Sequence, residues 1–65
     1  MQKTAYGRQV AYFRKQLNMT QEELATKAEC AVSTISRIEC GVEYPQMEIF
    51  EKLNSIFELF GFTYE

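Results

Sequence analysis

Sixty-five residues make one small domain, too short for a dinucleotide-binding or barrel enzyme and too short for a second domain. Hydrophobic residues at 46% and charged residues at 25% describe a globular chain. The absence of histidine excludes His-based acid–base catalysis and His metal ligation. A net charge of −2 and a pI near 5.1 argue against a protein that coats DNA by charge alone, but not against a local basic face.

The segment MQKTAYGRQVAYF has neither an apolar stretch nor a small-residue cleavage pattern, so a cytoplasmic location is expected. No apolar run approaches the ~20 residues of a membrane span. Cys30 and Cys40 are the whole thiol inventory, too few for a disulfide scaffold or, without histidine, a zinc site. They are expected to be reduced, and neither a metal nor a cofactor is expected.

Tyr6, Val10, Phe13 and Leu17 follow a 4-3-4 spacing, which predicts a first helix with one apolar face. Asn18 and Met19 interrupt it. Thr20 with Glu23 three residues later forms a capping box for a second helix that presents Leu24, Ala25 and Ala28. A tight turn over Glu29 to Ala31 precedes a short third helix carrying Ile35 and Ile38, closed by Gly41. The loop CGVEYPQ leads into QMEIFEKLNSIFELF, whose Ile49, Phe50, Leu53, Ile56, Phe57 and Phe60 predict a longer amphipathic helix stopped at Gly61. Phe62, Thr63 and Tyr64 alternate apolar and polar, which admits a short strand. The expected fold is all-α, with four to five compact helices and that optional C-terminal strand.

The second and third helices with their tight turn, residues 20–39, form a helix-turn-helix. Ala25 and Ala28 are small and permit close helix approach. Val32, Ser33, Ser36 and Arg37 would face outward, a slim surface with donors and one apolar contact, as a helix in a major groove requires.

The chain resembles the lambda-repressor-like helix-turn-helix family of the Cro and repressor type. The resemblance runs from about Tyr6 to Leu59. It rests on Arg14, on TQEELA at 20–25, on STISRIE at 33–39, and on Gly41 and Pro45 in register. It implies base contacts from Val32, Ser33 and Arg37, and backbone contacts from Gln21, Thr34, Ser36 and Tyr44. It also implies a structural ion pair between Arg14 and Glu39. Relatives of this type bind palindromic double-stranded DNA as two-fold dimers.

Four departures stand out. Glu29 occupies the turn where relatives carry Gly, and a left-handed backbone there strains a side chain. Ala31 replaces the usual Ser or Thr cap. Cys40 replaces a basic residue, and the loop Val42-Glu43-Tyr44 is acidic. Fewer phosphate contacts and a weaker salt dependence follow. Cys30 is expected as an inert packed thiol and Cys40 as an exposed one.

Phe57, Phe60, Phe62 and Tyr64 crowd one end of the chain and are expected at a homodimer interface formed by residues 46–65. The functional expectation is therefore a sequence-specific DNA-binding regulator and repressor. The alternative is an antitoxin or interaction module of the same fold that binds a protein partner such as a toxin. The glutamates are scattered over helical positions and no nucleophile–base pair is evident, so no enzyme and no small-molecule substrate is expected.

Overall fold

The computed structural model describes residues 5–61 of the chain. Four helices follow one another: α1 (Ala5–Gln16), α2 (Gln21–Ala28), α3 (Val32–Cys40) and α4 (Met47–Leu59). Among the described residues no strand forms. The expected strand at Phe62 to Tyr64 lies outside them.

Helix boundaries arise from local chemistry. Thr20 caps α2 with its side-chain oxygen on the Glu23 N–H at 3.0 Å, and the Glu23 carboxylate accepts the Thr20 N–H at 2.8 Å. This reciprocal box satisfies two donors that the first turn of a helix leaves without partners. Three helix C-termini close alike. The N–H of Met19 reaches the Arg14 carbonyl, that of Cys30 reaches Ala25, and that of Val42 reaches Arg37, at 3.0–3.1 Å. In each case the preceding residue is left-handed: Asn18 at φ 57°, Glu29 at φ 58° and Gly41 at φ 81°. This is the six-to-one closure that favours glycine. Asn tolerates such a backbone, whereas Glu29 adopts it against its steric preference.

Tyr6, Val10 and Phe13 of α1 meet Leu24, Ala25 and Ala28 of α2, Ile35 and Ile38 of α3, and Leu53, Ile56 and Phe57 of α4 in one core. The 4-3-4 stripe of α1 thus becomes a buried face, joined at its edge by Leu17. Ala25 and Ala28 are buried, so the helix-turn-helix pair closes through small side chains. Phe13 meets the Phe57 ring edge-on at 5.2 Å, and Tyr6 meets Phe50 at 5.1 Å, tying α1 to α4.

Phe57 is thereby withdrawn from the dimer interface expected for it. Only 2% of it is exposed, because it fills the core between α1 and α4. The neighbouring Leu59 and Phe60 are the exposed apolar residues at this end of α4.

Candidate nucleic-acid interface

Ile35 and Ile38 are fully buried and anchor α3 against α1 and α2. Their i, i+3 spacing fixes the rotation of the helix, so its other face turns outward. That face carries Val32, Ser33 and Arg37, all exposed, with Thr34 and Ser36 half-buried beside them. The three residues expected at base edges therefore share one accessible surface.

A polar network fixes this surface to the rest of the domain. Arg14 of α1 donates to Glu39 of α3 twice, Nε to Oε2 at 2.6 Å and Nη2 to Oε1 at 3.0 Å. Its Nη1 donates to the Met19 carbonyl at 2.8 Å. Both side chains are largely buried, at 13% and 6% exposure. A pair so desolvated holds position only with two-pronged geometry and satisfied lone pairs, and both conditions are met. The hydrogen bond from Arg14 to Glu39 raises the guanidinium pKa above its ordinary value, so Arg14 stays charged.

Gln21, expected at the DNA backbone, opens α2 and is half-buried. Its Nε2 donates to Glu39 Oε1 at 3.0 Å. The amide keeps a second N–H and an acceptor oxygen. Gln21 is therefore braced by the same carboxylate that locks α3. The shared register of Arg14, Gln21 and Glu39 in the sequence does not reveal this three-way junction, because it spans three helices.

Ala31 caps α3 without a side-chain hydrogen bond, in contrast to Thr20. Tyr44 is 69% exposed in the loop after α3, together with Val42. In that loop Glu43 Oε1 accepts Arg37 Nε at 2.8 Å. This contact was not legible in the sequence: six residues across a glycine turn match no helical spacing. A second surface pair, Lys52 with Glu29 at 2.5 Å, links α4 to the strained turn. It lowers the Glu29 pKa and raises that of Lys52. Cys40 is exposed at the end of α3, and Cys30 packs half-buried against the core. Desolvation raises the Cys30 thiol pKa.

Among the described residues no cluster of His, Cys, Asp or Glu could hold a metal ion, and no helix is long and apolar enough to cross a membrane. Two shallow surface depressions lie along α2 and between α2 and α4, lined mainly by glutamates and lysines, away from α3.

A family model described as helix-turn-helix matches residues 10–59, most of the chain. A search of curated proteins finds no match. The matched span contains the buried face of α1 from Val10 onward, the α2–turn–α3 unit with its Arg14–Glu39 lock, and α4. The chain belongs to the lambda-repressor-like helix-turn-helix family of the Cro and repressor type, a family of DNA-binding transcription regulators.

Proposed function

We propose that this protein is a cytoplasmic repressor that binds a palindromic operator in double-stranded DNA as a homodimer. The observation that carries the reading is the outward face of α3. Val32, Ser33 and Arg37 are exposed together, on a helix whose rotation is fixed by Ile35, Ile38 and Glu39. In a major groove, Arg37 would donate to guanine O6 and N7, Val32 would pack on a thymine methyl, and Ser33 would bond either base edge. Thr34, Ser36, Gln21 and Tyr44 would meet phosphates and set the register. The braced amide of Gln21 suits that role, since a preorganised donor loses less freedom on binding.

Exposed Leu59 and Phe60 at the end of α4 support the homodimer, together with Phe62 and Tyr64, which lie outside the described residues. Two-fold pairing would set recognition helices about 34 Å apart, one turn of DNA.

The acidic balance and the Arg37–Glu43 pair support a second reading, an antitoxin or interaction module whose main partner is a protein such as a toxin. Selection from random duplex DNA, with binding followed by anisotropy at two salt concentrations, separates the two. An enriched palindrome with salt-sensitive affinity is expected. A selection without enrichment would reject the operator reading and favour the protein partner.

A further inference from the structure

Arg37 is the sole basic residue of α3, and its Nε donates to Glu43 of the following loop at 2.8 Å. Both side chains remain substantially exposed, at 52% and 37%. The Gly41 turn brings the two together: the chain reverses at φ 81°, and the Val42 N–H closes on the Arg37 carbonyl at 3.1 Å. Glu43 is therefore held close to Arg37 by backbone geometry.

We propose that Glu43 is a selectivity residue of the DNA-reading face, which positions Arg37 and opposes its use as a general phosphate ligand. The inference rests on the DNA-binding reading above. Two physical consequences follow from the contact. First, the carboxylate engages the inner Nε, leaving the terminal Nη1 and Nη2 edge without a protein partner among the described residues. That edge supplies two parallel donors, the arrangement that matches guanine O6 and N7. A flexible arginine tethered at Nε is aimed, and aiming matters more for a planar fork than for a point charge.

Second, Glu43 places a negative charge beside the one cation of the helix. DNA affinity that ignores sequence comes from cations neutralising phosphates. A carboxylate bound to Arg37 cancels much of that attraction on every sequence alike. It also repels phosphates that approach the loop. A guanine edge, in contrast, can use the free Nη donors while the Glu43 bond persists. The contact thus penalises non-specific binding more than base readout. Because an exposed pair of this kind adds little to folding stability, its role lies in orientation and discrimination rather than in folding.

Two variants separate the two effects. Glu43→Gln keeps an oxygen that can accept the Nε–H but removes the charge. Glu43→Ala removes both. Wild type and both variants are titrated with the selected duplex, with the same duplex carrying A·T at the guanine that Arg37 reads, and with random duplex. Arg37→Ala on the same duplexes identifies that guanine. Both Glu43 variants are expected to bind random duplex roughly threefold to tenfold more tightly than wild type, in line with the gain of one phosphate-neutralising charge. Glu43→Gln is expected to keep the wild-type guanine preference. Glu43→Ala is expected to lose at least roughly threefold of it, within the range that one arginine–guanine pair supplies. A guanine preference unchanged in Glu43→Ala, or random-duplex affinity unchanged in both variants, would overturn the proposal alone. Absence of any duplex preference in wild type would overturn the DNA-binding reading, and this proposal with it.

Discussion

At the scale of single residues, Glu39 is the position on which the orientation of α3 and its outer face depends. Its carboxylate takes two hydrogen bonds from Arg14 and one from Gln21, with only 6% of the side chain exposed. Removing it strands a largely buried guanidinium, an outcome that costs about 3 kcal/mol or more. A core of this size supplies only about 3–5 kcal/mol in total. Glu39→Ala should therefore leave the domain at the edge of unfolding, seen as a large fall in melting temperature by circular dichroism. An unchanged melt would mean that the pair contributes little. The surface pair between Arg37 and Glu43 is the opposite case, where loss of a partner leaves a solvated group. The two cysteines give a second residue-level test. Desolvation raises the Cys30 thiol pKa and reduces its thiolate fraction, while Cys40 is exposed. Iodoacetamide near pH 8 should alkylate Cys40 first, with Cys30 lagging. Equal rates would contradict the packing assigned to Cys30.

At the scale of elements, the helices were legible because their signals are local. The 4-3-4 stripe of α1, the Thr20–Glu23 box and the Gly41 stop each act within a few residues, and each marks an element where it was expected. Glu29 also adopts the left-handed backbone that its place in the turn required, despite its side chain. What the sequence did not disclose depends on contacts between elements. Gln21 has no local feature that points to Glu39, and Arg37 none that points to Glu43. Phe57 read as one of four terminal aromatics, but the ring of Phe13 on a distant helix draws it into the core. The start of α3 offers a direct element-level test. Ala31 leaves the first turn without a side-chain acceptor. Ala31→Ser should add one and stabilise the domain by about 1 kcal/mol, raising the melting temperature by several degrees. A neutral or lower value would show that the turn cannot place the hydroxyl on the N–H groups of α3.

At the scale of the whole molecule, α1 and α2 bury the apolar stripe of α3 in the shared core and leave its outer face free, so the fold and the exposure of that face are products of the same packing. Dimerisation, in the proposed reading, then sets two such faces one DNA turn apart. Leu59 and Phe60 are the exposed apolar side chains closest to that task, at 83% and 54% exposure. Phe60→Asp should fold as wild type yet sediment as a monomer, with a clear loss of affinity for a two-site duplex. A variant that stays dimeric would place the interface elsewhere. The central claim, that α3 reads base edges through Arg37, is tested most directly by fluorescence anisotropy on the selected duplex with wild type and Arg37→Ala, circular dichroism confirming the fold of each. Arg37→Ala is predicted to lose its guanine discrimination and about 1–3 kcal/mol of binding, roughly fivefold to 150-fold, with an unchanged melt. Equal affinity and equal discrimination in a folded Arg37→Ala variant would contradict the assignment of this face.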